Sequence, residues 1–154
     1  MTPAHRRSFS FTDPHSPRTL AEGMAEFAAA LPAPLAPDDP DLLEFMHAHD
    51  ACHVLFGLGT TIDDEALADT WTMVATDMPV RRYMAYLKRE PFKKLLAEIG
   101  AQQLIVGTLR SLPRLVRVLW RARRMPARWP FWGYAEHLGT PICELRERFN
   151  ISVV

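Results

Sequence analysis

The stretch from residue 39 to residue 65, DPDLLEFMHAHDACHVLFGLGTTIDDE, carries its own start and stop signals. Asp38 or Asp39 can cap a helix whose first turn holds Pro40, and Gly57 with Gly59 can end it, so a helix is predicted over about 40–56. With Glu44 set at zero, Leu42, Phe45, Met46, His49, Asp50, His53 and Phe56 fall between about 100° and about 240° at the helical period, while Glu44, His47, Ala48 and Ala51 lie opposite. An acid and two histidines thus share the inward face with leucine, methionine and phenylalanine.

That placement demands partners. An unpartnered polar group inside a fold costs about 1–3 kcal/mol, and a charge costs more. A hydrogen-bonded core cluster is one answer. The other is a metal ion: His49 and His53 are four apart, one turn above the other, and can converge on one ion as the histidines of HExxH sites do. Asp50 flanks them. A further ligand can come from the next helix, folded back by the LGLGTT turn, and either Asp64 or Glu65 could supply it; spacing leaves that choice open. Two histidines with two carboxylates suit zinc or, with open positions, a redox metal such as iron.

The rest of the chain reads as helix. A short helix is expected near 19–30, then the proline-punctuated loop of residues 28–40 (AAALPAPLAPDDP), then the helix with the histidines. Thr61 and Asp64 make a capping-box-like start for a helix running until Pro79. Further helices are expected at about 80–89, 92–110 and 113–124, with the last two separated or kinked at Pro113, and a short one in the tail GTPICELRERFNI. No segment alternates as a strand does, and no repeat is present. The expected class is all-α. At 154 residues and 48% hydrophobic content, one domain can bury ~68–70% of its unfolded surface. Residues 1–18 are expected as a flexible N-terminal arm and residues 19–154 as a single compact helical domain.

Charges and prolines break every apolar run short of the ~20 residues a spanning helix needs. Cys52 and Cys143 lack CxxC spacing, which argues against a thiolate zinc site or a disulfide framework and for an intracellular setting. The balanced net charge hides a partition. Residues 19–80 hold twelve acids and no lysine or arginine, whereas residues 81–128 hold thirteen basic residues against Glu90 and Glu98. The halves can attract each other, or one face can attract an anionic partner.

The motif His49-Asp50-x-x-His53, eleven residues, then Glu65 resembles the HDxxH-x11-E signature of the fourth coenzyme-Q (ubiquinone) biosynthesis protein, the Coq-four family. The GLGTT turn, the TDMP segment at 76–79 and an ending with Glu136, Leu145, Arg146 and Ile151 extend the similarity from about residue 40 to the C-terminus. Asp64 stands where the family usually has glycine, and residues 121–132 look unlike it. The resemblance implies one divalent metal, zinc first and iron second, held by His49, Asp50, His53 and Glu65 beside an apolar cavity for a prenyl lipid. It also implies ubiquinone biosynthesis at a membrane surface, through oxidative decarboxylation at ring carbon one of a prenylated benzoate, in which the same four residues would be the catalytic ones. The alternative role is a non-catalytic metal- and lipid-binding scaffold that organises other ubiquinone-biosynthesis proteins. The expected location is peripheral on the cytoplasmic face of a bacterial inner membrane, or on a mitochondrial inner membrane.

Zinc cannot change oxidation state, so with zinc the electrons for oxygen chemistry come from the electron-rich ring; iron could take part directly. A metal phosphohydrolase of the HD type is disfavoured, because it needs another upstream histidine and a distant aspartate. Arg110, Arg114, Arg117, Arg121 and Arg124 fall within about 80° of arc on one helix, with Leu112, Leu115, Val116 and Leu119 across from them. Such a stripe suits either a solvated helix side or an anionic membrane surface, where Trp120, Trp129, Phe131 and Trp132 could settle. No nucleic-acid reading motif accompanies it, so nucleic acid is not an expected partner. A homodimer is possible, with no face singled out. His47 is expected at the surface, Cys52 in packing, and the WPFWG run as a loop laying aromatics over an opening.

Overall fold

The computed structural model describes residues 9–31, 37–90 and 92–153. Residues 1–8 of the expected arm and 32–36 of the proline-rich connection lie outside them. Among the described residues the regular structure is helical: α1 (Leu20–Ala28), α2 (Pro40–Phe56), α3 (Ile62–Ala75), α4 (Val80–Leu87), α5 (Phe92–Ile99), α6 (Ala101–Ala122) and α7 (Ile142–Phe149), with single 3-10 turns at Ser10–Thr12 and Tyr134–His137. The all-α expectation holds.

Helix α2 is the axis of the molecule. Asp39 caps it through its side chain, Pro40 opens it, and Gly57 closes it in the left-handed conformation at φ +72°. Its N-terminal half has an outward side with Asp41, Glu44 and His47. From Ala48 onward the expected polar back is absent: Ala48, Ala51, Cys52, Val54, Leu55 and Phe56 are all fully buried. The reason is tertiary, because α1, α3, α7 and the first 3-10 turn all pack against it. A helix surrounded on all sides has no solvent face to keep polar.

Helix α1 crosses α2 at Gly23, where a Cβ would lie 2.5 Å from Val54 Cγ1. A capping box of Thr19 and Glu22 starts α1. The N- and C-terminal parts of the chain are sewn together beside it: Leu20 N–H donates to the Thr140 carbonyl at 3.0 Å and Ile142 N–H to the Arg18 carbonyl at 2.8 Å. Residues 9–18, part of the expected arm, are therefore docked. Phe9 and Phe11 are buried, stack on each other at 4.8 Å and meet Phe27 of α1.

Arg146 of α7 explains why that docking is specific. It is buried, and its guanidinium donates to the carbonyls of Leu55 (2.8 Å), Val54 (3.0 Å), Phe11 (2.6 Å) and Asp13 (2.5 Å). Two of those carbonyls belong to the last turn of α2, where the ordinary helical partners run out and Val54 keeps only the closing Gly57 N–H.

Helix α3 stops at Ala75 rather than at Pro79. Thr76 turns its hydroxyl back onto the Thr72 carbonyl, and the chain then pairs with residue 129: Trp129 N–H donates to the Ala75 carbonyl, and Asp77 N–H to the Trp129 carbonyl. Asp77 also accepts from Phe131 N–H. The WPFWG run thus drives Trp129 and Phe131 into the core, both fully buried, instead of laying them over an opening.

Helix α6 packs along α3 and forms the outer layer. The break before it falls at Gly100, φ +84°, and Pro113 lies inside the helix. Proline is tolerated there because Pro113 and Leu109, whose carbonyl would have been its partner, both face solvent, so water can satisfy that carbonyl. No helix among the described residues is long and apolar enough to cross a membrane.

Candidate metal centre

Two helices build the centre. On α2, His49 and His53 stand one turn apart with ring centroids at 4.9 Å. After Gly57 the chain reverses, Thr61 caps α3 by accepting from Asp64 N–H, and Glu65 arrives in the first turn of α3 opposite the histidines. Glu65 Oε2 is 3.1 Å from His53 Nε2, and Oε1 is 3.8 Å from His49 Nε2. Ligand atoms of these three residues lie within 4.8 Å of one another.

The turn also fixes one ring. His53 Nδ1 lies 3.0 Å from the Gly59 carbonyl, which can only accept, so Nδ1 carries the proton. Nε2 then faces Glu65 with either a second proton or a lone pair, and only a proton or a cation between the two relieves the contact. Space at Gly59 is tight: a Cβ there would come within 3.1 Å of the Asp64 carboxylate and 3.2 Å of the Phe9 ring. Phe27 stacks on His53 at 4.7 Å, and Phe45 and Tyr83 flank His49 at 6.2 and 6.1 Å.

His49 Nε2 is enclosed and makes no hydrogen bond. It lies 3.4 Å from Asp69 Oδ1, close enough to attract but without hydrogen-bond direction. Burial alone would lower the His49 pKa; the proximity of Asp69 and the charges of Glu65, Asp69 and Asp50 override it and push the pKa up to about 9. Glu65 keeps about half its side chain in solvent but is desolvated on the side facing α2, which alone would raise its pKa; His53 and His49 hold it down to about 2. The locus favours positive charge, and a proton on His49 is the least that can supply it.

The donor set fits a metal. A tetrahedral ion with bonds of about 2.1 Å separates its ligand atoms by about 3.4 Å, and the distances of 3.1 and 3.8 Å fall on either side of that value. Access is one-sided. The side chain of His53 is 1% exposed and that of Glu65 53%, so the centre is closed toward α2 and open at Glu65.

Of the four residues expected as ligands, His49, His53 and Glu65 come together, and Asp50 lies outside the converging group. Its carboxyl is raised by burial, against the pull of His49 and His53, and it lies close enough to Tyr134 to influence that phenol. Between the two candidates on α3, Asp64 is taken by Arg114 at 3.2 Å, leaving Glu65 to the histidines. Asp69 and Tyr83 were not foreseen, although Asp69 follows Glu65 by one helical turn, as His53 follows His49. Cys52 packs in the core beside Thr72, its thiol pushed up to about 12 by burial, and His47 is exposed.

The chain matches no family model, no curated protein and no solved structure.

Proposed function

We propose that the protein acts in ubiquinone biosynthesis as a metal-dependent oxidative decarboxylase of a prenylated benzoate precursor. The observation that carries this is the convergence of His49, His53 and Glu65 on one point, walled by Phe27, Phe45 and Tyr83 and open on the Glu65 side. The order of these residues in the chain, which resembles the Coq-four signature, supplies the substrate class. Zinc is the first choice of ion and iron the second.

A bound divalent ion would supply Lewis acidity toward the ring carboxylate and phenolic oxygens of such a substrate. The residues of the chain do the rest. Gly59 keeps the His53 proton on Nδ1, so Nε2 is available as a neutral donor. The aromatic wall excludes water on the α1 and α4 sides. In the net reaction the ring carboxyl leaves as carbon dioxide, water supplies the hydroxyl that takes its place, and dioxygen accepts the two electrons and two protons to leave as hydrogen peroxide.

Work at an anionic membrane surface belongs to the same proposal, and α6 supports it. Val106, Leu109, Leu112, Val116, Leu119 and Trp120 are exposed along one side, with Arg110 and Arg117 exposed beside them. That pattern suits lipid: apolar side chains enter the headgroup boundary while the arginines meet anionic headgroups. An apolar cavity for the prenyl tail, adjoining the centre, completes the proposal. A scaffold without turnover, binding the same metal and lipid, is the second reading; the exposed apolar side of α6 is the feature that would serve it.

Elemental mass spectrometry of protein purified without chelator or affinity metal is the test. One zinc or iron per chain is expected in the wild type, with loss in His53→Ala; absence of metal from both overturns the metal reading. Metal-loaded protein given a prenylated hydroxybenzoate and oxygen should release carbon dioxide. An intact carboxylate leaves the scaffold reading.

A further inference from the structure

The convergence of three donors leaves one feature unexplained, the enclosed Nε2 of His49, which makes no hydrogen bond. Its nearest carboxylate oxygen is neither of Glu65 nor of Asp50. It is Asp69 Oδ1, at 3.4 Å. Asp69 lies one turn beyond Glu65 on α3, so α2 and α3 face each other with matched pairs, two histidines against two carboxylates, each pair four residues apart. The three nitrogen-to-oxygen separations across the helices, 3.1, 3.4 and 3.8 Å, all surround the ligand spacing of about 3.4 Å that a tetrahedral ion imposes.

Asp69 is also braced. Tyr83 of α4, fully buried, donates its phenol to Asp69 Oδ1. A ligating carboxylate held by an outer hydrogen bond is the usual construction of a metal site, because the bond orients the carboxylate. Asp50 has no such position. It follows His49 by one residue, about 100° further around α2; both acids lie outside the group of three converging donors, and Asp69 is the one found at ion-pair distance from a histidine.

We propose that Asp69, not Asp50, is the fourth protein ligand of the metal centre, and that Tyr83 is the positioning residue that holds it toward His49. The inference rests on the metal-binding reading above and changes its ligand set to His49, His53, Glu65 and Asp69. A centre of two imidazoles and two carboxylates accepts zinc, iron(II) or cobalt(II).

The test uses the full chain stripped of metal and titrated with cobalt(II), whose visible absorption reports coordination, and with zinc against a chromophoric chelator. Asp69→Asn should weaken zinc at least about 10-fold and alter the cobalt bands, Asp50→Asn should leave both within about twofold, and Tyr83→Phe should weaken zinc about 10-fold with the stoichiometry kept. Loss of affinity in Asp50→Asn with wild-type affinity in Asp69→Asn overturns the assignment. If Asp69→Asn loses its helical circular dichroism, Asp69→Glu is titrated instead. Changed cobalt bands in that variant support ligation, and bands identical to wild type overturn it. A wild type that binds neither ion removes the metal reading itself, an outcome distinct from a wild type that binds while Asp69→Asn binds equally well.

Discussion

His53 has an acceptor at each ring nitrogen, the Gly59 carbonyl on one side and Glu65 on the other, and His49 has carboxylates around its enclosed Nε2. Without metal, protons must do the work of the cation, and stability should follow pH accordingly. The His49 pKa rises on folding from 6.5 to about 9, so its contribution is complete below 6.5 and is lost as pH climbs through about 9. The Glu65 pKa falls from 4.5 to about 2, so its contribution is complete above 4.5 and is lost as pH drops through about 2. Metal-free protein should therefore be most resistant to urea between about pH 4.5 and 6.5 as far as this cluster decides it. His49→Gln should flatten the alkaline limb; an unchanged limb in that variant would show that other groups cause it. The two histidines were legible in the sequence, because helical spacing and the inward face needed only local geometry; spacing left Asp64 and Glu65 both open, and only the resemblance singled out Glu65. Asp69 was not, since its distance to His49 depends on how α3 lies across α2.

Helix α6 shows the opposite balance at the scale of an element. The sequence places arginines and leucines on different sides of it, and the ordinary inference sends the leucines inward. In the fold the inward seam is Gly107, Ser111 and Val118, while Leu112, Val116 and Leu119 face out. Close packing selected that seam: at Gly107 a Cβ would already lie 3.1 Å from Ile62 of α3, and Arg114 reaches Asp64 beside it. Part of the charge partition is consumed inside the molecule in this way, since Arg89 also pairs with Asp39 and Asp41. Arg121 turns to the Ser152 and Val153 carbonyls, and Arg124 lies over Trp120 at 3.3 Å. Arg110 and Arg117 are exposed. Vesicles with anionic lipid should float the protein. Arg110→Gln with Arg117→Gln should lower the partition by about 2 kcal/mol, roughly 30-fold, and Leu112→Glu with Val116→Glu should abolish it. Flotation equal with neutral and anionic vesicles would count against the membrane assignment.

At the scale of the whole molecule, Arg146 joins α7, the end of α2 and the segment before α1. Arg146→Ala strips partners from buried carbonyls that cost about 1–3 kcal/mol each when left unmatched, so a loss of at least about 3 kcal/mol in urea unfolding is expected. A smaller loss would mean that water replaces the guanidinium. The sequence by itself determined the helical class, the bounds of α2 and the pair His49 and His53 on one face of it, because caps, glycines and periodicity act over one or two helical turns. The tertiary structure alone decided that α2 is enclosed from Ala48 on, that Phe9 and Phe11 are core, that α6 turns Leu112 and Leu119 outward and that Asp69 comes within 3.4 Å of His49. Each of these follows from which helix lies against which, a contact between residues far apart in the chain that no local pattern encodes.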